Sequence, residues 1–270
     1  MNNSICSTAF QTPAIRLSFR HVKALKNRFI LTLSLVFSVF IAHAQWKQLA
    51  TTTPAIPTNK HVLSIHFVND NIGYVVGTGG LVSKTTDGGV IWTTQTNNIP
   101  SGAYIASTYF IDALTGFAVG DNDLIRRTED GGVTWITITP TSQGQLITGQ
   151  AYRAVWFYNA YEGYITGGVS AQSGIILKTT DGGKTWLNSP ITPNNGNGIY
   201  GIFKKDPINV FAVDFDGRVL KSTDGGNTFP TISTTFAGVQ LSSIYFLDAQ
   251  VGYISGGKAT TNQKIAKPNF

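Results

Sequence analysis

The amino-acid sequence predicts an all-β protein, a β-propeller built from four-stranded antiparallel blades. The main evidence is a phrase that occurs four times, as T-T-D-G-G-V-I-W, T-E-D-G-G-V-T-W, T-T-D-G-G-K-T-W and S-T-D-G-G-N-T-F. Successive aspartates of this phrase are 43, 51 and 43 residues apart, a spacing typical of propeller blades. A second repeated phrase, which precedes the first in each repeat, predicts the remaining strands.

Each copy of the first phrase predicts a tight turn between two strands, called here a D-G-G turn. Glycine adopts positive φ without steric cost, and an aspartate side chain accepts hydrogen bonds from the backbone of its own turn. The aromatic residue that follows covers the returning strand. The residues assigned to these structural turns are Thr85, Asp87, Gly89, Trp92, Thr128, Asp130, Gly132, Trp135, Thr179, Asp181, Gly183, Trp186, Ser222, Asp224, Gly226 and Phe229.

The second phrase has the form F-x-D/N-x-x-x-G-Y-x-x-G and predicts a hairpin of two strands. Copies begin at His66, Tyr109, Trp156 and Ile244, and a degenerate copy begins at Ile202. The third repeat carries a four-residue insertion within residues 168–174. Insertions in repeat proteins map to loops and often mark the binding face.

The repeats predict about five blades. The fifth repeat ends before its D-G-G turn, so its last strand is missing from the pattern. The segment Trp46-Lys47-Gln48-Leu49 resembles the strand that follows such a turn and is one candidate for the missing strand. The last blade is therefore either incomplete or closed by this N-terminal strand, and a truncated member of a longer family is the alternative.

The D-G-G turns resemble the Asp-box, or BNR, repeat of β-propeller proteins. Over residues 60–270 the two phrases together resemble the photosystem II stability and assembly factor-like family. This resemblance implies that the Asp-boxes are structural turns away from the ligand-binding face. It also implies a non-enzymatic scaffold that holds a membrane-protein precursor during assembly. The chain has fewer repeats than the seven blades usual in that family and lacks a marked arginine-rich surface, which leaves the client open.

Residues 1–44 have the features of a secretory signal peptide, which predicts a propeller domain at 45–270. Basic residues precede an apolar stretch from Phe29 to Ala42, and Ala42-His43-Ala44 is a cleavage motif. The basic residues are Arg16, Arg20, Lys23, Lys26 and Arg28. We therefore expect an exported protein, located in the periplasm, at the cell surface or outside the cell. No membrane span is expected after cleavage.

Charge and motifs exclude several classes of function for the mature chain. The whole chain has 20 basic and 14 acidic residues, but the basic excess lies almost entirely in the signal peptide. The remaining chain is nearly neutral, so nothing favours nucleic-acid binding. No phosphate-binding loop or dinucleotide fingerprint is present, and we expect no cofactor. The one cysteine, Cys6, lies within the predicted signal peptide.

Enzymes that share this repeat, such as sialidases and endo-glucanases acting on xyloglucan, require catalytic groups that the sequence does not supply clearly. A sialidase needs an arginine triad and a Tyr-Glu pair, but Glu129 and Glu162 are the only glutamates. Candidate carboxylates for hydrolysis or for a calcium loop are Asp121, Asp123, Asp214 and Asp216. The alternative is that all four are polar turn residues, since aspartate is common in such turns. We therefore expect no catalytic residue and no metal site, with a glycosidase as the alternative.

The loops between blades contain the remaining candidates. Three strands begin with a tyrosine after a polar loop, at Tyr104, Tyr152 and Tyr200. Together with Arg153 and Trp156 they are predicted to form a partner-binding patch on the face opposite the D-G-G turns, since Tyr, Trp and Arg anchor interfaces. Packing between blades is the alternative for these aromatic residues. The sequence thus predicts a scaffold for a protein partner, with a glycan as the alternative ligand.

Overall fold

The computed structural model describes residues 56–169, 173–192, 198–233, 236, 238–248, 250–258 and 261–266. The predicted signal peptide at 1–44 and the predicted closing strand at 46–49 lie outside these residues. Apart from one 3-10 turn at Thr78–Gly80, the described regular structure consists of β-strands. No helix in the described ranges is long and apolar enough to cross a membrane.

The first two blades are four-stranded antiparallel sheets, with strands in sequence order. Blade 1 contains β1 (Val62–Phe67), β2 (Gly73–Gly77), β3 (Val82–Thr85) and β4 (Thr93–Thr94). Blade 2 contains β5 (Ile105–Phe110), β6 (Gly116–Gly120), β7 (Ile125–Thr128) and β8 (Ile136–Thr137). The predicted all-β propeller with four-stranded antiparallel blades is confirmed by these sheets and by the blades that follow.

Blades 3 and 4 gain additional strands at their outer edges. A hairpin, β9 (Thr141–Ser142) and β10 (Gln145–Leu146), precedes blade 3, which contains β11 (Tyr152–Phe157), β12 (Gly163–Val169), β13 (Ser173–Thr179) and β14 (Leu187–Asn188). Strand β15 (Ile191–Thr192) precedes blade 4, which contains β16 (Ile199–Lys204), β17 (Val210–Asp214), β18 (Val219–Ser222) and β19 (Phe229–Ser233). Strand β9 pairs in parallel with β14, and β15 pairs in parallel with β19.

The described part of blade 5 contains three strands, β20 (Gln240–Phe246), β21 (Gly252–Lys258) and β22 (Thr261–Ala266). The first strands of consecutive blades contact one another, in the order β1, β5, β11, β16 and β20. Five sheets therefore follow one another around a common inner edge formed by their first strands.

Each of blades 1–4 inserts one aromatic ring into the next blade, and these rings form the core between blades. Tyr74 of β2 stacks on Phe110 of β5, with ring centroids 3.5 Å apart, and Phe110 meets Trp135 edge to face at 6.1 Å. The same arrangement brings Phe117 of β6 against Phe157 and Trp186 of blade 3. We call the ring on the second strand the inserted aromatic, and the pair that receives it the slot.

The junction between blades 3 and 4 departs from this pattern. The inserted aromatic is Tyr164, but Lys204 takes the place that phenylalanine holds in the other slots. The Lys204 ammonium is almost fully buried and lies 2.5 Å from Glu162 of blade 3. The Tyr164 hydroxyl donates to the same carboxylate at 2.7 Å and to the Gly225 carbonyl oxygen at 2.9 Å. An ion pair between a buried ammonium and a half-buried carboxylate thus replaces an aromatic contact at this one described junction.

Each of the four D-G-G turns has the same two central hydrogen bonds, from the Thr or Ser hydroxyl to the Asp carboxylate and from the N–H of the second glycine to that hydroxyl. In the second turn, the Thr128 hydroxyl donates to the Asp130 carboxylate at 2.8 Å and accepts from the Gly132 N–H at 3.0 Å. The carboxylate also accepts from the backbone N–H and the hydroxyl of Thr134. The Trp135 indole N–H donates back to the Gly132 carbonyl oxygen at 3.0 Å. The turn aspartate therefore holds the loop closed around its own side chain.

In the third and fourth turns, the second glycine leaves room for the inserted aromatic of the preceding blade. Gly183 has a φ of 75°, and a Cβ there would lie 2.2 Å from the Phe117 ring. At Gly226, with a φ of 82°, a Cβ would lie 2.6 Å from the Tyr164 ring. Both the backbone conformation and the close approach require glycine. The turn is therefore part of the junction between blades.

Acid is expected to destabilise the fold between about pH 4 and pH 2 through these turns. The hydrogen bonds from Thr134 lower the pKa of Asp130 to about 2. Because this pKa lies below the unfolded value of about 3.9, the stabilisation is complete above the unfolded value and disappears as pH falls through the folded value. Thermal unfolding followed across this range should show Tm falling for the unaltered chain.

The Asp130→Asn variant tests whether Asp130 contributes to this acid sensitivity. It should have a lower Tm than the unaltered chain at pH 6 and a smaller fall in Tm on acidification, because its side chain does not titrate. Asp70→Asn, which changes an exposed hairpin aspartate, is the matched control and should behave as the unaltered chain does. Equal acid sensitivity of Asp130→Asn and the unaltered chain would contradict the assignment.

Candidate functional site

A groove lies at the end of the blades opposite the D-G-G turns. It has a volume of about 680 Å³ and is lined by residues of blades 2, 3 and 4. They come from the hairpin between β6 and β7, the loops entering β11 and β16, the end of β12 and the hairpin after β17. The lining residues are Asp121, Asn122, Asp123, Gly149, Gln150, Ala151, Arg153, Gly168, Val169, Gly198, Tyr200 and Phe215.

Asp123 organises one wall of the groove. Asn122 and Asp123 have φ values of 57° and 59°, in the left-handed region that Asn and Asp adopt more readily than most residues. This conformation lets the Asp123 carboxylate accept hydrogen bonds from the N–H groups of Gly149 at 2.8 Å and Gln150 at 2.6 Å. The hairpin of blade 2 is thereby fixed to the loop that enters blade 3.

Arg153 lies at the centre of the polar part of the groove. Its guanidinium donates to the Asp121 carboxylate at 2.6 Å and lies 6.0 Å from the centre of the Tyr200 ring. Burial lowers the pKa of Arg153, but the hydrogen bond and charge of Asp121 outweigh this effect and raise it above its usual value. The groove therefore contains a permanent cation that is partly neutralised by one carboxylate and is still a quarter exposed.

An aromatic pair lies beside Arg153 in the groove. Tyr200 and Phe215 stack with ring centroids 5.2 Å apart and an interplanar angle of 29°, and both side chains are half-buried. Rings held in this way present apolar faces at little cost in side-chain entropy. The groove thus combines a cation, two carboxylates and an aromatic surface.

The structure brings together only part of the predicted partner-binding patch. Arg153 and Tyr200 line the groove. Tyr104 is exposed but is not among the lining residues. Trp156 is half-buried against the core of blades 3 and 4, with its ring 5.4 Å from that of Phe203. These two residues therefore stand apart from the groove.

The assignment of Tyr152 to a binding surface is wrong. Its side chain is fully buried in the core between blades 2 and 3. Tyr152 opens β11 opposite Gly167, as Ile105 opens β5 opposite Gly120 and Ile199 opens β16 opposite Asp214. Both isoleucines are also fully buried, so this register position faces the preceding blade whatever the residue type.

Sequence reasoning missed Phe215 as a groove residue. It occupies the D-F-D-G hairpin of blade 4, and an aromatic residue at the tip of a polar hairpin was the available signal. The neighbouring Asp214 is fully buried and its carboxylate lies 2.5 Å from the Arg218 side-chain nitrogen. It also accepts the backbone N–H of Arg218. Asp214 is therefore a structural residue of this hairpin.

The carboxylates considered for hydrolysis or cation binding are mostly engaged within the protein. Asp121 pairs with Arg153, Asp123 binds two backbone N–H groups, and Asp214 pairs with Arg218. In the part of the chain that the structure describes, no cluster of three or more His, Cys, Asp or Glu side chains is placed to hold a metal ion. The groove is thus suited to binding a ligand by stacking and charge.

The blades and their aromatic junctions define a β-propeller protein. Within that class, the chain is a propeller similar to YCF48: residues 95–195 match the family model described as photosynthesis system II assembly factor YCF48. The matched segment includes the hairpin of blade 2, the loop into blade 3 and Arg153. No curated protein matches the chain.

Solved structures of other propellers share the fold. An ancestral GH74 enzyme is 16% identical, with 83% of this chain and 32% of that chain covered and a TM-score of 0.62. The GH74 enzyme of Niastella koreensis is 18% identical, with 73% and 36% covered and a TM-score of 0.56. The chain thus spans about a third of these enzymes. YCF48 bound to a D1 peptide is 18% identical, with 75% and 92% covered and a TM-score of 0.43.

Proposed function

We propose that this protein is an exported, non-catalytic scaffold that binds a peptide segment of a protein partner in the groove between blades 2, 3 and 4. The observation that carries the proposal is the arrangement of Arg153 between Asp121 and the Tyr200–Phe215 pair. The match of residues 95–195 to the YCF48 family model supports it, because the groove's polar wall lies in that segment.

The groove favours a peptide that presents a carboxylate next to an aromatic or proline side chain. The incoming carboxylate would displace Asp121 as the partner of Arg153, and guanidinium–carboxylate pairing is strong when both groups are partly desolvated. The neighbouring ring would stack on Tyr200 and Phe215. Arg and aromatic side chains in such positions commonly dominate binding energy.

A glycan is the alternative ligand, since sugar rings also stack on aromatic faces. The fold shared with GH74 enzymes makes this alternative worth testing, but the engagement of Asp121, Asp123 and Asp214 within the protein argues against hydrolysis. A retaining or inverting hydrolase needs two facing carboxylates at a set separation. We therefore place peptide binding first.

Arg153→Ala and Tyr200→Ala are each expected to weaken peptide binding at least about tenfold, as loss of one interface anchor costs more than about 1.4 kcal/mol. Peptides selected from a displayed random library against the chain provide the probe, and calorimetry gives the affinities. Tyr104→Ala, which changes an exposed tyrosine outside the groove, is the control and should bind normally.

The export proposed here has its own test. Protein purified from an exporting host should begin at Gln45.

Two outcomes would contradict the proposal. The first is that selected peptides bind Arg153→Ala and Tyr200→Ala as tightly as the unaltered chain. The second is that xyloglucan or sialoside ligands raise Tm in a manner that requires Arg153, while no peptide is selected. The second result would favour the glycan alternative.

A further inference from the structure

The two ends of the row of blades each expose side chains whose repeat equivalents are buried or half-buried at the internal junctions. At the blade 1 end, Val62, Ile65 and Phe67 of β1 are 44%, 58% and 39% exposed. At the blade 5 end, Tyr253 of β21 is 42% exposed and Tyr245 of β20 is 56% exposed. We call the first surface the back face and the second the front face.

The same repeat positions are covered inside the row. Residues equivalent to Ile65 and Phe67 are 2–6% exposed in the following blades, and those equivalent to Tyr253 are 0–1% exposed in the preceding ones. The covered back-face residues are Thr108, Phe110, Val155, Phe157, Ile202, Lys204, Ile244 and Phe246. The covered inserted aromatics are Tyr74, Phe117, Tyr164 and Phe211. The exposure at the ends therefore coincides with the lack of a neighbouring blade among the described residues.

The slot at the back face already has the geometry of a filled one. Phe67 and Trp92 meet edge to face, with centroids 5.9 Å apart and an interplanar angle of 84°. The corresponding values are 6.1 Å and 84° for Phe110–Trp135, which receives Tyr74. Blade 1 thus presents a preformed slot, and blade 5 presents the inserted aromatic that such slots receive.

We propose that the front face of one copy of this chain docks on the back face of a second copy, with Tyr253 entering the slot formed by Phe67 and Trp92. The two faces do not cover each other within one copy, because both are exposed. The contact would be a head-to-tail interface, which uses two different surfaces of the same protein. This assembly goes beyond peptide binding in the groove and does not depend on it.

The complementarity comes from the repeat itself. Each internal junction buries an aromatic ring and the apolar side chains around it, and uncovered apolar surface of this kind favours association. The front face of a second copy offers an aromatic ring, Tyr253, at the repeat position that fills the slots inside the row. Repeat proteins commonly rely on a covering unit at each end for solubility.

Sedimentation velocity of the full chain over a range of concentrations tests the proposal. The unaltered chain should self-associate as concentration rises. Ile65→Asp and Tyr253→Asp each place a carboxylate in one face, and each should keep the chain monomeric at concentrations where the unaltered chain associates. Leu114→Asp, at an exposed leucine in the hairpin of blade 2, is the control and should associate normally.

Mixing the two variants gives the decisive result. Ile65→Asp retains an intact front face and Tyr253→Asp retains an intact back face, so the mixture should form a one-to-one dimer that grows no further. A chain that stays monomeric at all concentrations would overturn the proposal and indicate that its own residues cover the ends. Association that persists in both single variants, or a mixture that stays monomeric, would also overturn it. Peptide affinity, measured separately, distinguishes these outcomes from failure of the groove.

Discussion

Replacing Glu162 with alanine is expected to lower the free energy of unfolding by about 3–5 kcal/mol, as for other buried ion pairs that lose one partner. The variant leaves the Lys204 ammonium, 3% exposed, without the carboxylate 2.5 Å away. Lys178 lies 3.7 Å from the same carboxylate but also binds the Gly225 carbonyl oxygen, so it keeps a partner. The Tyr164 hydroxyl likewise keeps its bond to Gly225. The loss of stability should therefore come mainly from the Lys204 ammonium, which is left without its carboxylate.

The double variant Glu162→Val with Lys204→Phe is expected to recover most or all of this loss. Phe110, Phe157 and Phe246 occupy the position of Lys204 in blades 2, 3 and 5, and Val251 occupies the position of Glu162 in blade 5. Replacing a buried ion pair with well-packed apolar residues is often neutral or stabilising. The change converts the polar junction into the aromatic type already present elsewhere in the chain.

Urea unfolding of the unaltered chain, Glu162→Ala and the double variant measures these free energies. The free energy of unfolding of Glu162→Ala should lie well below those of the unaltered chain and the double variant. A loss under about 1 kcal/mol for Glu162→Ala would show that the ion pair does not hold the blades together. A double variant as unstable as Glu162→Ala would show that this junction cannot adopt aromatic packing.

Replacing Trp186 with alanine is expected to cost about 3–5 kcal/mol, the range for large aromatic residues in cores. Trp186 is almost fully buried and lies edge to face with two rings, at 5.9 Å from Phe117 and 5.7 Å from Phe157. Its indole N–H also donates to the Gly183 carbonyl oxygen at 3.2 Å. The substitution removes one side of the slot and leaves a cavity against Phe117.

Trp92→Ala is the matched control, because it makes the same chemical change at the same repeat position of blade 1. Trp92 meets only Phe67 among the described rings, and none of the described aromatic residues enters its slot. We therefore expect Trp92→Ala to cost less by about 1 kcal/mol, the scale of one aromatic pair beyond burial. Urea unfolding under dilute conditions, where the chain is monomeric, gives the comparison. Equal losses of free energy of unfolding in the two variants would mean that the inserted aromatic does not stabilise the slot.

The repeated phrases predicted the blades well because they describe local chemistry. The turn in each D-G-G phrase depends on residues within eight positions of each other, as the Thr128, Asp130 and Thr134 hydrogen bonds show. The hairpins of the second phrase are equally local. In blade 2, the Asp112 carboxylate accepts from the N–H groups of Leu114 and Thr115, both at 2.7 Å. Such contacts can be predicted from spacing alone.

The candidate site was predicted less well because it depends on which strand positions face a neighbouring blade. Tyr152 and Arg153 are adjacent in sequence, yet one is in the core and the other lines the groove. A shift between Tyr152 and Ala154 in the pairing of β11 with β12 breaks the simple alternation that would assign their sides. Lys204 stands where other blades have phenylalanine. Its partner Glu162 lies 42 positions away in the sequence. Spacing within one repeat carries no information about either feature.

The ion pair between Glu162 and Lys204 also favours the correct order of the blades. Chains made of similar repeats risk assembling with the wrong neighbours, a characteristic failure of repeat proteins. A blade carrying Lys204 satisfies its buried ammonium only beside the blade carrying Glu162. Misplacing it would bury an unpaired charge, and a cost of about 3 kcal/mol reduces the misassembled population by roughly a hundredfold. One exchanged side chain thus distinguishes the junction between blades 3 and 4 from the other described junctions.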